Sequence, residues 1–216
     1  GTPFAGALFA LEIMGFKNIR WQSIFPSFIA AFAAHFICLW WNVSHVDYHF
    51  DVNWIWNLKN VLLIIASGVF FGITAMLFSN ANKLFKPLTA AIPTLWMKGA
   101  IGGAFILILY LCFPMTDYMG LGISGISNAF SQITPWYVFL IKLLLTVFTL
   151  SVGFKGGEVT PLFFIGATMS SFLILFIPLP LAILAAMGLV AVFAGATHTV
   201  IASIALGFEL FGATVG

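Results

Sequence analysis

The segment best suited to chemistry lies between two apolar runs, at residues 151–167. It reads Ser-Val-Gly-Phe-Lys-Gly-Gly-Glu-Val-Thr-Pro before the second run begins. Proline is favoured in the first turn of a helix, so Pro161 predicts a helix that starts there. The unpaired N–H groups of a helix start lie at the positive end of its dipole and attract anions. We therefore predict an anion-binding site made by Gly156, Gly157, Glu158, Val159 and Thr160.

Neighbouring side chains could contribute to this site. The glycine pair lets the backbone turn tightly and approach a ligand closely, Thr160 could donate its hydroxyl, and Lys155 adds positive potential. Phe163 or Phe164 could line a path for the ion. Glu158 would repel an anion when ionised and donate to it when protonated, so it could couple proton movement to anion movement. The alternative is a glycine-rich loop at a membrane surface, in which Lys155 and Glu158 are simply solvated.

Composition decides what kind of protein positions this segment. Of the 216 residues, 62% are hydrophobic and only 6% are charged, whereas a soluble domain carries roughly a quarter charged residues. The chain is therefore predicted to be an all-α integral membrane protein. Eight Lys and Arg residues are too few and too scattered to bind nucleic acid. Cys38 and Cys112 lie in apolar runs, which indicates buried thiols and not a disulfide framework.

The apolar runs predict several helices, and some of them are too short to cross a bilayer upright. Crossing takes about 20 residues, but proline and glycine divide the sequence after Pro161 into shorter segments. Short, interrupted segments are typical of transporter helices that end at mid-membrane. Lysine and arginine favour the cytoplasm, which places Lys17 with Arg20, and Lys83 with Lys86, inside and residues 42–59 outside.

The two ends of the sequence resemble each other. Residues 1–12 align without gaps with residues 198–209, so that Thr2 matches Thr199 and Glu12 matches Glu209. Carboxylates inside apolar helices are scarce and usually paired. The matched glutamates therefore favour a true internal repeat, of the kind from which many transporters are built.

Four further features could have functional roles, and we interpret each from its neighbouring residues. His45-Val-Asp-Tyr-His-Phe-Asp51 has spacings that could hold a metal ion, but we interpret it as a solvated loop, with no metal site. His35 is expected to be a packing residue, and His198 to cap a helix start. Lys142 lies within a span, where it could reach the interface or face the ion pathway; both alternatives stay open.

The chain resembles the CLC family of chloride channels and transporters along almost its whole length. Gly156-Gly-Glu-Val-Thr-Pro161 is similar to the family's Gly-Gly-x-Phe-x-Pro anion-binding motif, and the two matched ends are similar to its dimer-interface helices. The resemblance implies inverted repeats of broken, tilted helices, with the end of the first repeat at 1–41 and most of the second at 60–216. It also implies a homodimer that meets near residues 1–40 and 198–211.

Two details resemble the fluoride/proton antiporter branch of this family. That branch has a glutamate and a threonine where this chain has Glu158 and Thr160, and it lacks the internal proton-transfer glutamate, whose position is occupied by Ile13. Other family motifs, including the gating glutamate and the pathway tyrosine, are not found in this sequence, so we expect a fragment that lacks the N-terminal third and the last helices. Val200 replaces a usual proline, so the start of that helix could differ.

The resulting expectation is a multi-pass protein of the cell membrane that exports fluoride in exchange for protons and needs no cofactor. The alternative within the family is a chloride channel or a chloride/proton exchanger. Remoter alternatives are an inactive truncated product and a membrane-embedded hydrolase. The hydrolase is disfavoured because the sequence has neither a His-Glu zinc motif nor a Gly-x-Ser-x-Gly elbow.

Overall fold

The computed structural model describes residues 1–15, 21–43, 57–90, 92–112 and 118–212. Within these ranges the chain is helical and contains no strand. The helices are α1 (Pro3–Glu12), α2 (Trp21–Trp40), α3 (Leu58–Ala90), α4 (Leu95–Cys112), α5 (Ile123–Ser131), α6 (Val138–Ser151), α7 (Val159–Leu173), α8 (Leu181–Thr197) and α9 (Val200–Phe211).

Helix α7 forms the centre of the structure and packs most extensively against α8. The contact is close because a glycine of one helix faces a glycine of the other. A Cβ atom placed on Gly166 would lie 2.1 Å from the carbonyl oxygen of Gly188, and one placed on Gly188 would lie 2.2 Å from that of Gly166. No other residue type leaves room for this approach, so the two glycines determine how α7 and α8 pack.

Helices α6 and α7 form an antiparallel pair that turns back at the predicted site. The far ends of the pair are joined by Thr134, whose N–H and hydroxyl both lie 3.0 Å from the Ser171 hydroxyl. The near ends are joined by residues 152–158. With 14 and 15 residues, each helix is about 21–23 Å long, which is shorter than the roughly 30 Å hydrocarbon core of a bilayer. The prediction of a short helix after Pro161 is therefore confirmed for α7, and α6 is also shorter than the span that its apolar run predicts.

Long apolar helices flank this centre. Trp21–Trp40 and Leu58–Pro87 are, among the described residues, the helices long and apolar enough to cross a membrane. Helix α2 has no buried residue, so its apolar side chains face outward within this chain. Helix α3 has 33 residues. The apolar run predicts only part of it, because the last turns of the helix carry polar residues and do not continue the run.

Three local predictions need correction. Cys112 is exposed and Cys38 is half-buried, although both are free thiols as expected. His198 does not cap a helix start; it ends α8 in the left-handed conformation, with φ 58°, and Thr199 precedes α9. Helix α5 was not predicted, because its nine residues are far too few for a membrane span, although its apolar residues recur with a helical period. His35 is half-buried beside Phe36, with ring centroids 5.8 Å apart.

Candidate anion-binding site

The N-terminus of α7 has free N–H donors. The helix begins at Val159, two residues before the predicted Pro161, and Glu158 precedes it without capping it through its side chain. Leu162 is the first residue whose N–H meets a carbonyl of its own helix start, that of Glu158 at 3.1 Å. The N–H groups of Glu158, Val159 and Thr160 find no acceptor among the described residues. This is the donor arrangement that an anion requires at a helix start.

The loop before α7 is shaped by Gly153. Its φ of 92° lies in the left-handed region that glycine tolerates best, and it ends α6. The N–H of Phe154 then reaches back to the Thr149 carbonyl at 3.2 Å. Gly156 and Gly157 do not have positive φ, so the prediction that this pair makes the tight turn is wrong. Both have open space where a side chain would start, so the backbone there remains accessible to a small ligand.

The charged groups of the loop stand apart from each other. Glu158 and Lys155 are both exposed in this chain, and they form no ion pair. Thr160 is half-buried and its hydroxyl makes no hydrogen bond within the described residues. These three side chains are thus free to meet a ligand or another part of a longer protein.

The two phenylalanines predicted to line a path face different regions. Phe163 is half-buried, with its ring 5.1 Å from that of Phe193. It lines a cavity of about 160 Å³ together with Val159, Ala5 and Ala202. Phe164 is fully buried and faces the opposite direction, toward α5 and α6.

Lys142 belongs to the surroundings of the loop. Its side chain is 3% exposed, and its Nζ donates to the Tyr118 carbonyl at 2.9 Å and to the Gly120 carbonyl at 2.7 Å. The ammonium lies 5.2 Å from the centroid of the Phe164 ring. The ammonium is thus held inside the chain, and both alternatives for its place relative to the membrane stay predictions.

A cavity of about 270 Å³ connects Lys142 with the loop. It is lined by Lys142, Thr146, Thr149, Lys155, Gly156 and Gly157, among others. The sequence interpretation missed the two threonines and the carbonyls of Tyr118 and Gly120. Polar residues at positions 142, 146 and 149 share one face of a helix, and this spacing could have indicated a wet face on α6.

The matched glutamates of the repeat bind each other's helix starts. Glu209, near the end of α9, accepts the N–H of Phe4 at 3.0 Å and that of Ala5 at 2.7 Å. Glu12, at the end of α1, accepts the N–H of Ile201 at 3.1 Å and that of Ala202 at 2.7 Å. The sequence alignment pairs the same positions, so the two segments fold alike and bind reciprocally.

The starts of these two helices have the same geometry. Thr2 and Thr199 precede them with φ and ψ of −121° and 73°, and of −111° and 76°. The expectation that Val200 could alter its helix start is therefore not met. Its N–H is one of the unpaired groups of a first turn, so proline is dispensable there.

Among the described residues, no three His, Cys, Asp or Glu side chains lie close enough together to hold a metal ion. The stretch from His45 to Asp51 lies outside the described residues, as do Lys17 and Arg20. Their predicted roles remain predictions.

Comparison with known proteins places this geometry in a family. The family model described as "Voltage gated chloride channel" matches residues 1–215. The chain is 39% identical to the "Chloride/fluoride channel protein" of Pseudomonas syringae pv. tomato, with 98% of the chain covering 48% of that protein. It is 25% identical to an uncharacterized protein of Methanocaldococcus jannaschii, with 77% of the chain covering 43% of it.

A solved structure agrees with these matches. The crystal structure of a CLC-type fluoride/proton antiporter superimposes with a TM-score of 0.90 and 33% identity, over 98% of this chain and 54% of that one. The chain thus spans about half the length of the relatives that it matches. The open helix start, the reciprocal glutamates and the family model lead to one conclusion: the chain belongs to the voltage gated chloride channel (CLC) family.

Proposed function

We propose that the full-length protein exports fluoride across the cell membrane in exchange for protons, and that the anion binds at the start of α7. The observation that carries this proposal is that the N–H groups of Glu158, Val159 and Thr160 have no acceptor in the part of the chain that the structure describes. The relatives support the class of ion, since one is named for chloride and fluoride and another is a fluoride/proton antiporter.

The chemistry of this site suits fluoride. Fluoride holds water strongly, so a selective site must replace that water with strong donors. Three backbone N–H groups at a helix dipole and the free Thr160 hydroxyl provide such donors. Glu158, which makes no hydrogen bond of its own here, can add a donor when protonated and lose it when ionised. Binding of fluoride and of a proton would then favour each other.

The test is ion efflux from liposomes that contain the full-length protein, with and without Glu158→Gln. Fluoride and chloride are followed with ion-selective electrodes, and proton uptake with a trapped pH indicator. We expect fluoride efflux to drive proton uptake, and the variant to lose the proton coupling and at least about 90% of the fluoride rate. Asp51→Asn removes a carboxylate of the predicted external loop and is the matched control.

The outcomes separate the candidates. Fluoride efflux without proton uptake in the parent protein would indicate a channel. Chloride efflux that ignores Glu158→Gln would support the chloride channel or exchanger and refute the fluoride proposal. No flux of either anion would refute transport altogether and support the inactive product. The hydrolase alternative has no support from the family to which the chain belongs.

We also propose that the protein is a multi-pass homodimer whose subunits meet through residues 1–40 and 198–211. On α9, Val200, Ile204 and Phe208 follow one another at four-residue intervals and are 57%, 55% and 74% exposed. Such a row of exposed apolar side chains suits a partner helix or lipid. Mass photometry of the protein with Ile204→Trp and Phe208→Trp would test the dimer. A dimeric double variant would indicate that lipid covers this face.

A further inference from the structure

Helices α1 and α9 are bound to each other at both of their ends. Glu209, in the last turn of α9, accepts two N–H groups from the first turn of α1, at 3.0 and 2.7 Å. Glu12, the last residue of α1, accepts two from the first turn of α9, at 3.1 and 2.7 Å. Each helix therefore starts beside the end of the other, and the two run antiparallel. Because these hydrogen bonds are charge-assisted, they make α1 and α9 one unit, here called the paired helices.

One face of the paired helices lies opposite the start of α7. Ala5 and Ala202, whose N–H groups donate the two shortest of the four bonds, are 4% and 1% exposed. Both line the cavity of about 160 Å³, and Val159 and Phe163 from the beginning of α7 line it too. The two glutamates therefore hold a wall that faces the helix start at which we propose that the anion binds.

Three aromatic rings connect this wall with α7 by direct contact. The ring of Phe9 in α1 lies 5.4 Å from that of Phe193 in α8, and Phe193 lies 5.1 Å from Phe163 in α7. Rings at such distances pack against each other, so a shift of α1 displaces Phe193 and then Phe163. Phe163 follows Val159 by about one helical turn, and the N–H of Val159 belongs to the proposed anion site.

We propose that Glu12 and Glu209 are positioning residues for the anion site, which fix the paired helices and thereby the direction of the N–H groups at the start of α7. This inference rests on the proposed binding of the anion at that start. It adds two residues that bind backbone N–H groups and do not touch the ion. Their effect is geometric, because donors that replace the water of a small anion must converge on one point.

The test compares Glu12→Gln and Glu209→Gln in the full-length protein. Glutamine keeps the volume of the side chain but has one acceptor oxygen in place of two, so each variant weakens one end of the paired helices. Efflux of fluoride and of chloride from liposomes, over a range of internal concentrations, gives KM and the maximal rate. For the transported anion we expect KM to rise about fivefold, as for one misdirected hydrogen bond, and the maximal rate to stay unchanged.

Two further variants separate positioning from stability. Phe193→Leu breaks the ring contacts and leaves the four hydrogen bonds of the paired helices intact, so KM should rise in it as well. Leu179→Ala removes a buried side chain between α7 and α8, at the end of α7 away from the site. It should lower stability, which unfolding in detergent measures, and leave KM as in the parent protein. An unchanged KM in the glutamine variants or in Phe193→Leu, or an equal rise in Leu179→Ala, would overturn the inference.

The variant with both glutamines shows whether the two carboxylates act together. Because they hold the same unit, we expect its KM to be close to that of the weaker-binding single variant. A rise equal to the product of the two single effects would overturn the shared role. Transport in the parent protein separates this inference from the proposed function. Active transport with an unchanged KM in every variant would overturn the positioning role alone, whereas no binding and no transport of either anion in the parent would overturn both.

Discussion

The starts of α1 and α9 differ from the start of α7 in what accepts their backbone N–H groups. At α1 and α9, a glutamate from the opposite helix accepts two backbone N–H groups. At α7, the side chain of Glu158 makes no such bond, and no other described residue accepts the first N–H groups. All three helices have first-turn N–H groups without a partner in their own helix, and such groups attract an acceptor. The protein supplies its own carboxylate to two of them, and we propose that the third binds the transported anion.

Every helix start attracts anions, wherever it lies in the fold. Whether it can bind a ligand depends on whether a carboxylate of the chain already accepts its N–H groups. A resident carboxylate binds α1 to α9 with charge-assisted hydrogen bonds, which are about twice as strong as neutral ones. The end of α7 lacks such a bond, so packing alone must hold it. That packing comes from α8, through Gly166 and Gly188. The starts of α1 and α9 are thus stabilised by charge-assisted hydrogen bonds, and the start of α7 is stabilised by helix packing.

Removing a resident carboxylate should have the largest effect on stability. Glu209→Ala leaves the N–H groups of Phe4 and Ala5 without an acceptor and should lower the unfolding free energy by about 3 kcal/mol. The measurement is reversible unfolding in mixed detergent micelles. The opened helix start should also bind a free anion, so added formate or fluoride should return part of the stability. A loss below 0.5 kcal/mol would contradict the assignment of Glu209 as the acceptor.

Disturbing the packing that holds the open end should have the next largest effect. Gly188→Ala places a methyl group against the Gly166 carbonyl and should cost about 2 kcal/mol, because neither backbone can give way without moving its helix. Fluoride efflux should fall as well, since α7 carries the site. Gly99→Ala is the control, because a Cβ atom there meets nothing within 4 Å. Equal effects of the two variants would show that the close contact is unimportant.

A smaller change is expected when the open end loses one donor. Thr160→Val keeps the shape of the side chain and removes a hydroxyl that has no partner among the described residues. Fluoride binding should weaken by about 1 kcal/mol, or roughly fivefold, while stability stays unchanged. Titration calorimetry gives the affinity. Thr197→Val is matched to it, since that hydroxyl already donates to the Phe193 carbonyl, and it should leave fluoride affinity as it is.

The smallest effect on stability is expected for the carboxylate that precedes α7, and it contrasts most with the effect of removing Glu209. Glu158→Ala removes a carboxylate beside a helix start, as Glu209→Ala does, but Glu158 is exposed and binds no N–H group. The free energy of unfolding of the Glu158→Ala variant should therefore differ from that of the parent protein by less than about 0.5 kcal/mol. A loss comparable to that of Glu209→Ala would mean that Glu158 closes the end of α7 in the full-length protein, and the open site would need revision.

Much of the site could be predicted from residue types. Pro161, the glycines and the flanking apolar runs indicate a helix start, because their backbone preferences act locally. Glu12 and Glu209 could be matched because glutamates in apolar helices are rare. Lys142 could only be left between two alternatives. Its partners are carbonyls more than 20 residues away, and a carbonyl is present at every position, so nothing in the sequence marks them.

The amino-acid sequence alone was enough to obtain the helical membrane class, the family and the matching of the two ends of the chain. These follow from composition, periodicity and rare residues, which are properties of short segments. The packing of distant segments, by contrast, set which helix starts bind a glutamate, that Gly153 and not the Gly156–Gly157 pair makes the left-handed turn, and that Lys142 is buried against two backbone carbonyls. Each of these depends on the close approach of α5, α7 and α8 or of α1 and α9, and packing between distant segments sets that approach.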